Sequence, residues 1–202
     1  RPGGMENIQI YGNVVYEKDN PLNLFWNKGI FVEERFDRFV NNVQVHSNTV
    51  VHTLNSGILL ARNIQNGQVR NNIVYNAPLS PGTAQAGYNL VADSDSQFVN
   101  PANFDFHLRS TSPAIDAGDP NLASVVTLPS PFKDIDGTAR PQGITYDIGA
   151  YEFSTGQTQC TDGIQNGDET GVDCGGSCPF ECPLSHIIGI DVEINGTPGV
   201  DY

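Results

Sequence analysis

A repeated segment near the start of the chain constrains the fold more than any other sequence feature. Three stretches align without gaps, and they cover residues 8–16, 43–51 and 67–75. The asparagines that coincide are Asn13, Asn48 and Asn72, at spacings of 35 and 24 residues. Short β-branched strands that return after roughly two dozen residues are typical of a solenoid of stacked coils. The pattern therefore predicts coils in which a strand leads through an asparagine turn to a second, apolar strand.

The alternation of apolar and polar residues predicts which side chains face the interior, because successive side chains of a strand point to opposite faces. The residues expected inside are Ile8, Ile10, Val43, Val45 and Val69. Two outward columns are expected, one of Gln9, Gln44 and Gln68 and one of Tyr11, His46 and Arg70. At the turns, asparagine tolerates left-handed backbone, and its amide can bond to the next coil. A third strand is expected to begin at Gly29, Gly57 and Gly87, with a lateral loop at residues 19–28.

Three later segments add a resemblance to the repeat pattern. Residues 98–118 resemble the last coils of right-handed parallel β-helix proteins, and residues 134–143 and 147–153 resemble their closing segment. This broad family includes polysaccharide lyases, polygalacturonases and many secreted bacterial proteins. The resemblance implies an all-β fold, with residues 1–153 forming the C-terminal coils and cap of a right-handed parallel β-helix. It also implies a secreted or cell-surface location.

The closing segment carries acidic residues and one arginine that fit a structural cap. A solenoid needs such a cap because its last coil exposes core and unpaired strand edge. The carboxylates expected to accept hydrogen bonds from loop amides are Asp116, Asp134, Asp136 and Asp147. Arg140 is expected to pair with one of these four. A role for the same acids in binding an ion or another ligand is the alternative.

All four cysteines lie in one short acidic stretch, at Cys160, Cys174, Cys178 and Cys182. A segment this short cannot bury a core of its own, so we expect two disulfides that staple a small appendage over residues 154–183. Their pairing stays open among three arrangements. Zinc is the competing interpretation, although the paired C-x₂-C knuckles of such sites are missing. Disulfides indicate an oxidising compartment, and the stretch resembles a spacer of secreted bacterial proteins.

Oxygen ligands for calcium occur in the same stretch. The candidates are Asp162, Asn166, Asp168, Glu169 and Asp173. Calcium prefers six to eight oxygen ligands, but the spacing is not that of an EF-hand loop. Calcium is therefore the only cofactor that the sequence suggests. The alternative is that these acids simply solvate a stapled turn.

The outward column offers a candidate polysaccharide site. A lyase needs a base and a group that neutralises a uronate carboxylate, and Tyr11, His46 and Arg70 are suitable residue types. Lys28 and Trp26, in or near the lateral loop, would add charge and a stacking surface for sugar. The alternative is a solvated column without function. No residue is assigned a catalytic role, and an active site upstream of Arg1 is compatible with the sequence.

Composition excludes several classes of function. All ten basic residues precede residue 154, and the net charge is −13. A nucleic-acid partner is excluded because no basic stripe exists to displace counterions from phosphates. No apolar run approaches the roughly 20 residues of a membrane-spanning helix. Neither the paired carboxylates of glycoside hydrolysis nor an H-E-x-x-H zinc motif occurs among the coils.

Two hypotheses about function follow from these observations. The first is a fragment of a secreted or cell-surface β-helix protein that binds or processes polysaccharide. The second is a structural or adhesive surface module without chemistry. The chain is expected to be monomeric, and residues 184–202 are expected to begin a further β segment or an anchor region.

Overall fold

The protein is described by a computed structural model. The model describes residues 4–16, 28–33, 40–51, 56–61 and 63–154, together with positions 165, 170–172, 174–175 and 182. Across these parts of the chain the fold is all-β, and helical structure is limited to one short α-helix and one 3-10 turn. No helix within them is long and apolar enough to span a bilayer.

Strands follow one another in four repeats. Repeat 1 contains β1 (Met5–Tyr11), β2 (Val14–Tyr16) and β3 (Lys28–Val32), and repeat 2 contains β4 (Val40–His46), β5 (Thr49–Val51) and β6 (Ser56–Leu60). Repeat 3 contains β7 (Ile64–Gln65), β8 (Gln68–Arg70), β9 (Ile73–Tyr75) and β10 (Leu79–Ser80), and repeat 4 contains β11 (Gln85–Gly87) and β12 (Leu90–Ala92). The chain continues through β13 (Phe98–Asn100), the 3-10 turn (Pro101–Asn103), β14 (Asp105–Leu108) and the helix α1 (Leu122–Val125).

Strands from successive repeats pair in parallel and form three sheets. Sheet 1 has the order β1-β4-β8-β11, with β7 also paired to β4, and sheet 2 has the order β2-β5-β9-β12. Sheet 3 has the order β3-β6-β10, so repeat 4 contributes no strand to it among the described residues. Ile10 lies opposite Val45, and Val45 lies opposite Val69, as the sequence alignment predicts.

A ladder of asparagines runs along the turn between sheets 1 and 2. Asn13 donates from its backbone and side-chain nitrogens to Asn48 Oδ1, at 3.1 and 2.9 Å. Asn48 donates to Asn72 in the same way, and Asn72 donates to Asn89. The predicted bonding between coils is therefore confirmed, and Asn89 adds a fourth member that the alignment missed.

The left-handed backbone of this turn lies one residue before each ladder asparagine, and not at the asparagine as predicted. The residues with positive φ are Gly12, Ser47, Asn71 and Tyr88, with values between 53° and 65°. The predicted role of Gly87 as the start of a third-sheet strand is also wrong. Gly87 ends β11 and lies opposite Arg70 in sheet 1, because repeat 4 places its ladder asparagine only 17 residues after Asn72.

The inward faces of the three sheets enclose one hydrophobic core. Val43, Val45 and Val69 are fully buried in it, and Ile8 and Ile10 pack against it partly buried. These five residues are the ones that the alternation predicts. Their uniform β-branched shape suits a narrow interior in which each side chain stacks on its counterpart in the next repeat.

Glycine is the second residue of two third-sheet strands, β3 and β6, because the backbone there passes too close to its neighbours for a side chain. A Cβ added to Gly29 would lie 2.3 Å from the carbonyl oxygen of Gly57 and 2.4 Å from Val50 Cγ1. Lys28 immediately before it begins β3, so this lysine belongs to a strand and not to the predicted lateral loop. The other residues of that loop, 19–27, lie outside the described part of the chain.

A second hydrophobic core lies on the outer face of sheet 2. The antiparallel pair β13-β14 packs there, so that Phe98 and Phe106 meet Val51, Ile73 and Tyr75. The ring centroids of Phe98 and Phe106 are 5.4 Å apart in an edge-to-face arrangement, which aromatic pairs prefer. The two middle strands of sheet 2, β5 and β9, are therefore buried on both faces, which accounts for their nearly continuous apolar sequence.

The chain after β14 packs along the side of the sheets. We call residues 112–153 the C-terminal segment. Within it, Gly149 donates its N–H to Asn71 O at 2.8 Å, and Ala150 donates to Thr49 Oγ1 at 2.9 Å. Asp119 forms an ion pair with Arg70. The predicted cap thus has hydrogen bonds to repeats 2 and 3, while Val91 at the end of repeat 4 remains 57 % exposed.

Candidate functional site

The predicted column of Tyr11, His46 and Arg70 is present, with the three residues paired on adjacent strands of sheet 1. Tyr11 lies opposite His46, and His46 lies opposite Arg70. The rings of Tyr11 and His46 stack with centroids 5.2 Å apart and planes 4° apart. Equivalent positions on adjacent parallel strands, spaced about 4.8 Å apart, produce this stacking directly.

The exposure of that column differs from the prediction. His46 has no exposed surface, and the ring of Phe132 in the C-terminal segment meets it edge-on with centroids 6.1 Å apart. Arg70 Nη1 lies 3.1 Å from Asp119 Oδ2. The segment that was expected to close the end of the solenoid therefore covers the face on which a glycan groove was expected.

The glutamine column is partly covered by the same segment. Gln44 lies opposite Gln9 and Gln68, as predicted. Its Oε1 accepts the backbone N–H of Thr127 at 2.7 Å, and Gln44 is buried. This contact gives the outward amide of Gln44 a structural role, because it satisfies a polar backbone group of the covering segment.

Burial makes His46 a neutral imidazole near neutral pH. Desolvation and, to a lesser extent, the charge of Arg140 lower the pKa of His46 to about 4. Its Nδ1 lies 3.3 Å from Ser47 Oγ, whereas Nε2 has no hydrogen-bond partner among the described residues. A base that solvent and substrate cannot reach does not meet the geometric requirement of proton abstraction.

Of the remaining predicted site residues, the structure describes only Lys28, which does not lie in this column. Lys28 lies in sheet 3, with its Nζ 3.6 Å from the centroid of the Phe31 ring. Trp26 lies outside the described residues, as do all the calcium candidates, namely Asp162, Asn166, Asp168, Glu169 and Asp173. Elsewhere, in the part of the chain that the structure covers, no group of three His, Cys, Asp or Glu residues is placed to hold a metal ion.

One disulfide links Cys174 and Cys182. The zinc alternative is therefore wrong for these two residues, because a sulfur in a disulfide offers no thiolate to a metal. Cys160 and Cys178 lie outside the described residues.

The acidic residues of the C-terminal segment organise its loops largely as predicted. Asp116 Oδ1 accepts from Thr145 N–H, and Asp147 accepts from the N–H groups of Asp116 and Phe153. Asp134 likewise accepts from three backbone N–H groups. The predicted partner of Arg140 is wrong, since its guanidinium pairs with Glu152 at 3.3 Å.

That ion pair is buried beneath the surface. Arg140 also donates to the carbonyl oxygens of Asp147 and Gly149, and Glu152 accepts from the N–H groups of Gln142 and Asp147. Burial and the charge of Asp147 raise the pKa of Glu152 to about 7, against the opposing influence of Arg140. The pair therefore joins the loops of the segment from within.

A small cleft opens next to this network. Its volume is about 270 Å³, and it is lined by Ser110, Ile115, Asp116, Gln142, Gly143, Asp147, Phe153 and Ser154. Both oxygens of Asp147 already accept backbone hydrogen bonds, so Asp116 is the less committed carboxylate. The sequence singled out these acids as a cap, but the closure of a cleft depends on contacts between loops that a linear pattern does not reveal.

His107 forms a second polar cluster that sequence reasoning missed. Its Nδ1 lies 2.5 Å from Asp105 Oδ1, and its Nε2 lies 2.7 Å from Asp136 Oδ2. The ring also packs against Tyr151, with centroids 4.2 Å apart. Asp105 precedes His107 by two residues on one strand, so their shared face was detectable. The contact with Asp136 was not.

Alkaline pH is expected to weaken the C-terminal segment through His107. Burial lowers its pKa, but the hydrogen bonds to Asp105 and Asp136 outweigh this and raise it to about 9. A raised folded pKa contributes stability that is complete below the unfolded value of 6.5 and is lost as pH rises through 9. We expect urea midpoints to fall over this range in the native chain and to fall less in His107→Gln. Because the side chain is 41 % exposed, screening limits the effect to about 1 kcal/mol.

Comparisons with known proteins identify no relative: no family model, no curated protein and no solved structure matches this chain.

Proposed function

We propose that this chain is part of a secreted or cell-surface protein, and that the described region acts as a structural or adhesive module without catalysis. We also propose that the three parallel sheets are the faces of a right-handed parallel β-helix. The disulfide Cys174–Cys182 supports an oxidising location. The strand pairing and the asparagine ladder support the solenoid.

The covering of the predicted column carries the structural part of this proposal. His46 is buried by Phe132, Arg70 is paired with Asp119, and Gln44 binds a backbone amide. Side chains that would serve a groove are thus committed to contacts inside the molecule. Such contacts make the outer face of sheet 1 a packing surface for the C-terminal segment.

Polysaccharide binding or processing is the second candidate function. The cleft supports it and would place the sugar-binding site away from the predicted column. Asp116, Gln142 and Ser110 offer acceptors and donors for sugar hydroxyls, and Phe153 offers an apolar surface. Small-molecule sites usually combine a concave apolar lining with a few polar groups in this way. The candidate site is therefore the cleft instead of the column of Tyr11, His46 and Arg70.

A glycan panel tests the two candidates directly. The full chain is incubated with acidic and neutral polysaccharides, with and without calcium. Binding is followed by calorimetry, and lyase activity by the ultraviolet absorbance of unsaturated uronate ends. If the region is a structural module, we expect no heat of binding and no unsaturated product with any polysaccharide of the panel.

Two variants locate the site if a glycan does bind. Asp116→Asn keeps a residue that tolerates the positive φ of 52° at this position, but it removes the charge from the cleft. Asp93→Asn makes the same change at an exposed residue outside the cleft and serves as the matched control. Binding that is lost only in Asp116→Asn would replace the structural proposal with a glycan-binding one, and a product would establish an enzyme.

A further inference from the structure

We propose that the cleft beside Asp116 binds a sugar with a free amino group, whose ammonium form lies against the Asp116 carboxylate while the sugar ring packs on Phe153. The ligand class is an amino sugar, such as an oligomer of glucosamine, and it is bound without reaction. This inference rests on the adhesive form of the proposed function. It narrows the second candidate function from polysaccharides in general to positively charged ones.

The cleft has the shape and lining of a small ligand site. Every residue that lines it belongs to the described part of the chain. Ile115 and Phe153 are partly buried and supply apolar surface, whereas Ser110 and Gln142 are exposed and supply polar groups. Its volume of about 270 Å³ lies just below the range of about 300–1,000 Å³ that is common for drug-sized ligands. A cleft of this size suits a single sugar ring.

The charge of the lining favours a cation. Two of the eight lining residues are the acids Asp116 and Asp147, and none of the eight is Lys, Arg or His. The nearby guanidinium of Arg140 is buried in its ion pair with Glu152. The net charge of the chain is −13, which adds a general attraction for cations. An acidic sugar would be repelled here, and a neutral sugar would gain nothing from these charges.

Open acceptors in the cleft match the donors of an ammonium group. Asp116 Oδ1 accepts from Thr145 N–H at 3.0 Å, and within the described residues Asp116 Oδ2 accepts no hydrogen bond. Gln142 Nε2 donates to Ala139 O at 2.7 Å, and no donor among the same residues reaches Gln142 Oε1. An ammonium group carries three N–H donors and no acceptor. The carboxylate, the amide oxygen and the hydroxyl of Ser110 offer three suitable partners.

The same acceptors do not suit a calcium ion. Calcium takes six to eight oxygen ligands and draws several of them from carboxylates. Both oxygens of Asp147 already accept backbone N–H groups, so Asp116 Oδ2 is the one open carboxylate oxygen of the lining. Phe153 provides a further contact that a metal ion does not need. An aromatic face attracts an organic cation and also packs on the apolar face of a sugar ring.

Gly143 leaves the Asp116 carboxylate open to the cleft. A Cβ added to this glycine would lie 2.6 Å from Asp116 Oδ2 and closer still to Oδ1. Any side chain at this position would therefore push the carboxylate aside. The backbone of Gly143 is not in the left-handed region, so close approach and not conformation is the reason to keep glycine here.

Calorimetry of the full chain with three matched sugars tests the inference. The sugars are trimers of glucosamine, of N-acetylglucosamine and of glucose, titrated at slightly acidic pH so that the free amine is protonated. We expect the glucosamine trimer to bind about tenfold to a hundredfold more tightly than the other two, because acetylation or loss of the amine removes the charged hydrogen bonds. Added salt should weaken this binding.

Three variants locate the binding. Asp116→Asn keeps an acceptor for Thr145 N–H and a residue that tolerates the positive φ, and it should lose about tenfold to a hundredfold in affinity for the glucosamine trimer. Gly143→Ala keeps every charge but displaces the Asp116 carboxylate, so it should lose affinity as well. Asp93→Asn, the control outside the cleft, should bind like the native chain. Circular dichroism verifies that each variant is folded.

The outcomes separate this inference from the proposed function. Equal binding of the glucosamine and N-acetylglucosamine trimers would overturn the inference and leave glycan binding intact. Binding of none of the sugars would overturn the inference and leave only the structural role. Equally tight binding of Nα-acetyl-lysine amide, which has an ammonium group without a sugar ring, would also overturn it. Unchanged affinity in Asp116→Asn, or binding of calcium in place of the amino sugar, would overturn it as well.

Discussion

Replacement of Arg140 with alanine is expected to lower the free energy of unfolding by about 3–5 kcal/mol, because it leaves the carboxylate of Glu152 buried without its partner. Both side chains of this ion pair are almost completely inaccessible to solvent. The same substitution removes the donors that bind the carbonyl oxygens of Asp147 and Gly149. Urea unfolding followed by tryptophan or tyrosine fluorescence and by circular dichroism measures the loss.

The pH dependence of this loss follows from Glu152. Burial already raises the pKa of its carboxyl to about 7 in the native chain, against an ordinary value of 4.5. A carboxyl whose pKa is higher in the folded than in the unfolded state does not reduce the stability of the fold when pH is below the unfolded pKa. Its destabilising effect grows as pH rises and is complete above the folded pKa. Arg140 lowers this pKa, so its loss should raise the pKa of Glu152 further in the variant. The part of the destabilisation that comes from Glu152 should therefore grow as pH rises above 7 and become small below 7, where the carboxyl is protonated in both folded proteins.

Two further variants separate the ion pair from a general effect of lost charge. Lys133→Ala removes one positive charge from an exposed position in the same segment and should change stability by less than about 0.5 kcal/mol. Glu152→Gln added to Arg140→Ala should recover part of the loss, because an amide costs less to bury than an unpaired carboxylate. Equal effects of Arg140→Ala and Lys133→Ala would contradict a stabilising role for the pair.

The repeated part of the fold was accessible from sequence because two local signals agreed. β-branched residues alternate with polar ones in the aligned segments, and the asparagines share one place in each. Alternation decides which side chains face inward, and alignment decides which strands lie opposite each other. Together they predict the observed pairing of Ile10, Val45 and Val69.

Repeat 4 lacked both signals. Its sheet 1 strand reads Gln85, Ala86, Gly87, without a β-branched residue, and its ladder asparagine comes after a shorter interval than the others. Backbone pairing with Gln68, Val69 and Arg70 nevertheless gives it strand geometry. Pairing with β8 therefore outweighs the weak β-propensity of this segment, as tertiary context often does in β-sheets.

The covering of the outer face could not be read from the sequence. Asp119 follows Arg70 by 49 residues, and Thr127 follows Gln44 by 83. No periodicity connects such distant positions, since the C-terminal segment has almost no regular structure. The alternation predicted correctly that His46 points away from the hydrophobic core between the sheets, but it carries no information on whether another part of the chain lies there.

The asparagine ladder provides the other large expected effect. Replacement of Asn72 with alanine should lower the free energy of unfolding by about 3–5 kcal/mol, because several buried polar groups lose their partners at once. Asn48 would lose the acceptor for its backbone N–H and its side-chain amide, and Val45 O would lose its donor. Each unsatisfied buried group costs about 1–3 kcal/mol. Chemical denaturation of the native chain and the variant gives the difference.

Asn41→Ala is the matched control for Asn72→Ala. Asn41 lies in β4 and accepts one exposed side-chain hydrogen bond from Asn66, so its loss should cost less than about 1 kcal/mol. Amide hydrogen exchange adds a readout of position. In Asn72→Ala the N–H groups of Asn48, in the turn, and of Ile73, the first residue of β9, should exchange faster. Those of β13 and β14 should keep their relative protection. A loss no larger than that of Asn41→Ala would mean that backbone pairing alone holds the repeats in register, and the ladder would then be a consequence of the stacking instead of a cause of it.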